Sequence, residues 1–358
     1  MKLSGGLAAI LLLAASLQGA ERWRIQFRHD RGGSRLTIND LVFPSASRGV
    51  AVGHLSQGGG LKPVELVTGD GGATWSYLEP KEMGLSLFFL NESVGWMVTA
   101  EGLWKSSDSG FSWKKLTAGP ATVDVLRVHF LDEAHGWTVG RRKSIHATED
   151  GGLTWRRVEA AFEAPSDPQH TAYNWITFVN QRFGMITGAS SPPQPGTQRR
   201  ELPHLTIFLD TRDGGRNWKA STTSMFGRVA KVVFAPDGRG LGLIEFQNDF
   251  AFPSEVFGID WKTGKSWRVF RREDQAVRDV AFTPAGEAYL AVVEQSGRAR
   301  AKAAPGTLRL LKSGNLSDWA EVEVGARIAA RRAVLAVVDA QHAWMATDTG
   351  LILRLENR

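Results

Sequence analysis

No cysteine occurs anywhere in the 358 residues, which excludes disulfides, thiolate metal sites, cysteine nucleophiles and a lipid-modified cysteine behind a leader. Tyrosine is scarce, with three copies, so a tyrosine nucleophile has few places to be. Helical periodicity is almost missing, which excludes the α/β classes. Long apolar runs are missing too. The longest, Leu7 to Leu17 within Met1–Ala20, is too short to span a bilayer as a helix. With Lys2 ahead of it and small residues before Glu21, it reads as a secretory signal over residues 1–20; Ala14 and Ser16 fit the small-residue cleavage rule and Gln18 fits it less well. The remainder is expected to be a soluble monomer outside the cytoplasm, held together by its core alone. The formal charge of +6, one unit lower without Lys2, is too small an excess to indicate nucleic acid. A hydrophobic content of 42% with 22% charged residues is that of a chain able to bury a real core.

Repetition is what the chain does have. Thr68-x-Asp70-x-Gly72-x-Thr74-Trp75 returns as Ser106/Asp108/Gly110/Ser112/Trp113, Thr148/Asp150/Gly152/Thr154/Trp155 and Thr211/Asp213/Gly215/Asn217/Trp218. A catalytic motif is rarely needed four times over, so these frames read as folding devices. A second pattern, an apolar residue six positions before a small one, occurs seven times: Phe43/Gly49, Phe89/Gly95, Phe130/Gly136, Phe178/Gly184, Phe234/Gly240, Phe282/Ala288 and Val337/Ala343. Its spacings of 46, 41, 48, 56, 48 and 55 residues match four-stranded propeller blades. Short alternating segments between turn residues supply strands a to d of each unit. The expected fold is therefore all-β, a seven-bladed β-propeller forming a single domain over 21–358. Its blades fall near 35–80, 83–118, 122–162, 172–222, 228–272, 276–324 and 326–358. The last unit lacks a fourth strand, and "ERWRIQF" at 21–27, with Trp23 in the place of the repeated Trp, is expected to complete it. That pairing would leave no long sheet edge open.

Within each frame, glycine can take positive φ, the Asp carboxylate can accept turn N–H groups and the nearby hydroxyl, and the Trp is expected to fill the wedge against the next blade. No copy carries the oxygen ligands of a calcium loop. These turns resemble the Asp-box, or bacterial neuraminidase repeat, and with "F-x5-G-W-x-V-G" at 130–140 they resemble the photosystem II stability and assembly factor family. The likeness is strong in the first three units and weak thereafter: Asn217 replaces the hydroxyl, "WKTGKSW" at 261–267 lacks the Asp, and "SGNLSDW" at 313–319 is one residue short. The resemblance implies a non-catalytic propeller that holds membrane-protein assembly intermediates through an arginine-rich patch. It does not imply a photosynthetic source.

In a four-stranded antiparallel blade the a–b and c–d turns share one face, leaving the b–c and d–a connections on the other. The longer b–c loops carry Arg141, Arg142, Lys143, Arg199, Arg200, Arg298, Arg300 and Lys302, a candidate basic rim for an acidic partner. Tyr173, Trp175, Phe250 and Phe252 are candidate aromatic anchors there, Trp175 being also at home packed in strand a.

Other readings compete. Asp-boxes also occur in sialidases and other glycosidases, whose chemistry needs a Tyr polarised by a Glu, with Tyr173 as the candidate nucleophile and Glu245 or Glu294 as its partner. No Arg-Ile-Pro element precedes the first box, which counts against that chemistry. A lectin-like carbohydrate binder is the third reading. No cofactor is implied, and the eight His show no metal-ligand spacing. Asn91-Glu92-Ser93 and Asn315-Leu316-Ser317 match glycosylation acceptors, a pattern common by chance.

Overall fold

The computed structural model describes residues 21–116, 124–191, 201–246, 250–294 and 305–356. The candidate signal at 1–20 lies outside them. Five four-stranded sheets and one nine-stranded sheet account for the described strands. In the nine-stranded sheet, two four-stranded groups and a short strand at Ala329–Ala330 are joined. The chain is thus an all-β, seven-bladed propeller in which the first six blades run outward in chain order from their first strands and the seventh takes its outermost strand from the N-terminal segment.

Those first strands are Arg35–Val42, Gly84–Phe89, Val125–Phe130, Thr171–Phe178, Arg228–Phe234, Gln275–Phe282 and Ala333–Val337. Each packs against the first strand of the next blade, and Ala333–Val337 packs against Arg35–Val42, so the ring is closed. The terminal strand Arg22–Arg28 runs antiparallel to Leu351–Glu356, with Trp23 opposite Leu355. Trp23 is fully buried there among Tyr289, Leu308 and Leu353. The same strand also pairs in parallel with the outer strand of the sixth blade, Arg22 opposite Glu323 and Trp23 opposite Val324. The closing strand therefore clips two blades together, and the pair Arg22–Glu323 at 3.1 Å reinforces the clip.

The apolar–small pairs have a packing cause. A Cβ added at Gly49, Gly95, Gly136, Gly184 or Gly240 would lie 2.4–2.6 Å from the ring of the Phe six residues earlier, because each ring lies directly on the glycine backbone. That ring is then sandwiched between blades. Phe43 stacks on Trp344 of the seventh blade (3.5 Å, 1°), Phe130 on Trp96 of the second (3.7 Å, 10°), and Phe178 packs on Trp137 of the third at 5.0 Å. The Asp-box tryptophans Trp75, Trp113, Trp155 and Trp218 meet the Phe of their own blade edge-on. Their wedge opens toward the preceding blade, not the next one: Trp113 donates its indole N–H to Glu65 of the first blade, and Trp218 packs on Trp137 of the third. The Trp stands one residue ahead of strand d, beside the Phe that itself stacks on a tryptophan of the preceding blade.

Candidate functional site

The four complete boxes are wired alike. Thr68 Oγ1 donates to Asp70 Oδ1 at 2.8 Å and accepts from Gly72 N–H at 2.8 Å, while Asp70 accepts from Thr74 N–H at 2.9 Å and Thr74 Oγ1 at 2.6 Å. The set repeats around Asp108, Asp150 and Asp213, with Asn217 Nδ2 taking the place of the second hydroxyl at 2.7 Å. Hydrogen bonds to the charged form, led by the Thr74 hydroxyl, hold Asp70 at about 2. The glycine after each Asp, or Ser109 in the second box, sits at positive φ and bonds back to the a–b turn of the same blade: Gly71 N–H to Ser47 O, Gly151 N–H to Ala134 O, Gly214 N–H to Arg182 O. The carboxylates are thus engaged in their own turns. The a–b turns carry a second repeated device, a side-chain oxygen at Ser45, Asn91, Asp132, Asn180 and Asp339 that accepts N–H groups two and three residues on. Four of these five follow the Phe of the apolar–small pair by two residues and Asp339 follows Val337 likewise, a signal present in the sequence and missed there.

The opposite face holds a recess of about 550 Å³ between the third and fourth blades. Its walls include Arg141, Arg142, His170, Asn174 and Arg228, with Asp124 as an acidic member. The chain reaches it through a tight two-residue turn: Arg142 and Lys143 both take left-handed φ, 55° and 58°, and Ser144 N–H bonds Arg141 O. Such φ values are costly for non-glycine residues and favour a turn over a mobile loop. Arg142 is ion-paired with Asp124. Arg141, exposed, and Arg228, half-buried, have no carboxylate partner among the described residues and face the recess as its uncompensated cations.

Three expectations change here. Lys143 is not a rim residue: it is 3% exposed, its amine donates to Ala164 O at 2.7 Å, and burial lowers its pKa. The left-handed turn points it inward. Tyr173 is not at the mouth, being fully buried with its hydroxyl donating to Ala161 O at 2.6 Å; burial pushes its pKa up, the opposite of what a nucleophile needs. Nor does either glutamate face it, since Glu245 pairs with Arg278 at 3.3 Å and Glu294 with Arg309 at 3.0 Å. Trp175 packs in strand a, its indole N–H on Val232 O at 2.7 Å. Phe250 and Phe252 form a cluster with Phe246 on the loop face, and the neighbouring Phe226 is 45% exposed. Arg199, Arg200, Arg298, Arg300 and Lys302 lie outside the described residues.

The axis of the ring is a cavity of about 590 Å³ lined by first strands of all seven blades. Six of those strands shift register at the same place, after Ile38, Gly84, Val125, Tyr173, Val229 and Val277. A bulge turns the following side chain, and the residues that follow, Asp40, Ser86, Arg127, Trp175, Lys231 and Asp279, make one polar layer around the axis. Asp40 accepts Leu87 N–H and Asp279 accepts Leu335 N–H, each from the next blade. Burial raises Asp40 and brings His129 down to about 4. Among the described residues no three His, Asp or Glu gather in a way that could hold a metal ion, and no helix is long and apolar enough to cross a membrane.

A closed ring, Asp-box turns whose carboxylates are engaged in their own hydrogen bonds, and a polar recess on the opposite face define a β-propeller with a candidate binding surface. Residues 112–192 match the family described as photosynthesis system II assembly factor YCF48. The chain is 24% identical over 252 residues to photosystem II assembly lipoprotein Ycf48 of Synechococcus sp. (strain CC9902), covering 60% of this chain and 66% of that protein. It is 22% identical over 202 residues to photosystem II assembly protein Ycf48 of Thermosynechococcus vestitus, covering 48% and 55%. The chain thus spans less than two thirds of the length of either relative. Among solved structures, YCF48 bound to D1 peptide superposes with a TM-score of 0.60 at 18% identity, covering 97% of this chain and 100% of that one. YCF48 from Cyanidioschyzon merolae also gives 0.60, at 15% identity over 93% and 98%. In sequence this chain is similar to photosystem II assembly factors, and in fold it is a propeller like theirs. Some relatives are named lipoproteins, whereas these 358 residues contain no cysteine to carry such a lipid.

Proposed function

We propose that the protein is an exported scaffold that holds an acidic segment of a protein partner, an assembly intermediate, on the face bearing its b–c and d–a connections. The observation that carries this reading is the recess between the third and fourth blades, where Arg141 and Arg228 have no carboxylate partner among the described residues and stand beside the neutralised Arg142–Asp124 pair. Uncompensated guanidinium groups on a rigid wall attract carboxylates and hold them with two parallel hydrogen bonds. The solved relative that carries a D1 peptide supports a peptide-binding role, and the secretory signature of residues 1–20 supports a location outside the cytoplasm. Arg199, Arg200, Arg298, Arg300 and Lys302 would extend the same basic rim.

The test is capture of a fluorescein-labelled acidic peptide with a free C-terminal carboxylate, followed by anisotropy at two salt concentrations. The Arg141→Glu/Arg228→Glu variant is expected to lose at least tenfold in affinity with unchanged thermal unfolding, and Lys143→Met to keep affinity while losing stability. Equal affinity in the double variant and the wild type, at low and high salt, would remove the recess from the binding face.

A further inference from the structure

The axial cavity is separate from the recess and has a chemistry of its own. Four cations and three carboxylates line it, and most of that charge is spent internally: Lys231 pairs with Asp279 at 2.6 Å, and Arg278 with Glu245 at 3.3 Å. Asp40 is held by the N–H groups of Leu41 and Leu87, both at 2.9 Å. Arg127 remains. Its only hydrogen bond among the described residues is to the carbonyl of the adjacent Leu126, at 3.2 Å, and its guanidinium lies 5.2 Å from the centre of the Trp175 ring. Stacking in this way leaves the N–H edge of an arginine free for a planar acceptor. Arg332, exposed, is the second lining cation with no side-chain ion pair among the described residues.

Flat apolar surfaces lie beside this edge. Trp175, Phe88 and His129 line the cavity together, with His129 4.7 Å from Phe88 and stacked 5.1 Å from Phe178. Held neutral by burial, His129 is a polarisable ring with one donor and one acceptor and no hydrogen-bond partner among the described residues. The volume, about 590 Å³, lies within the range of cavities that enclose small organic ligands.

We infer that the axial cavity binds a small aromatic carboxylate, its anionic end on the Arg127 guanidinium and its ring against Trp175, Phe88 and His129. Inorganic phosphate would satisfy the arginine alone, and a neutral aromatic amide would satisfy the rings alone, so neither meets both halves of the site. Nothing in this inference depends on the loop-face recess.

Isothermal titration of the whole chain with benzoate and indole-3-acetate, against benzamide and inorganic phosphate, tests it. One carboxylate ligand per chain is expected, with benzamide and phosphate at least tenfold weaker. Arg127→Met is expected to abolish that preference, and Arg141→Glu to leave it intact, which separates this site from the peptide face. Arg127→Lys keeps the charge but loses the planar fork, and is expected to weaken binding several-fold while preserving the circular dichroism spectrum; it decides the matter should Arg127→Met fail to fold. Equal binding of benzoate and benzamide, no binding of either carboxylate, or undiminished binding by the Arg127 variants overturns the assignment.

Discussion

Glu65 is a carboxyl group placed where the equivalent strands carry Leu103, Ile145 and Phe208, and replacing it by glutamine should stabilise the protein in a pH-dependent way. It is 1% exposed, and its two oxygens accept the Trp113 indole N–H at 2.8 and 3.0 Å. Burial, with a smaller contribution from the Asp108 carboxylate and opposed by the Trp113 hydrogen bond, raises its pKa to about 8 from an ordinary 4.5. Below pH 4.5 the group is protonated in both folded and unfolded chains and makes no difference. Between 4.5 and 8 only the unfolded chain releases the proton, so stability falls as pH rises, by about 1.4 kcal/mol per unit and about 4–5 kcal/mol in all. Above pH 8 the loss is complete and constant. The Glu65→Gln side chain would keep an acceptor for Trp113 and carry no charge. Urea unfolding at pH 5, 6.5 and 8.5 should therefore show this variant nearly equal to wild type at pH 5 and more stable by a few kcal/mol at pH 8.5. A stability difference that does not change with pH, or a variant weaker than wild type at pH 8.5, would refute the assignment of a buried, proton-holding carboxyl.

Phe43→Ala removes the ring that joins the last blade to the first, stacked on Trp344 and lying on Gly49. It should cost about 3–5 kcal/mol in urea unfolding, as large aromatic truncations in cores do, and limited proteolysis should open the chain first near the closing strand. Tyr173→Phe should lower stability by about 1–2 kcal/mol through loss of the buried bond to Ala161 O, and neither it nor the wild type should turn over a fluorogenic sialoside.

The repeat was readable because packing imposes it locally. In five blades the phenylalanine ring lies where a Cβ on the facing glycine would stand, and in the other two that residue is alanine, so Phe43/Gly49 and its copies keep a large and a small member at fixed spacing, and the Asp-box bonds span four residues. The basic rim was less readable. "GRRKS" has the composition of an exposed loop, yet its left-handed turn gives Arg142 to Asp124 and buries Lys143, leaving Arg141 as the free cation of the three. Arg228, from a first strand of another blade, carries no motif at all. Tyr173 looked like a mouth residue because it begins a strand after a long connection, and the short 3-10 turn Glu159–Phe162 that covers it has no strong sequence signature.

By itself the sequence determined the blade: strand, turn, box and the stacking pair are set by contacts between residues close in the chain, where side-chain shape and hydrogen-bonding capacity suffice. Only the tertiary structure decided the axis and the seam. The bulges that turn Asp40, Arg127, Trp175, Lys231 and Asp279 lie in hairpins of neighbouring strands, but their gathering into one layer needs the blades closed around an axis. The parallel pairing of Trp23 with Val324 joins segments from opposite ends of the chain, and contacts of that separation leave no local pattern in the sequence.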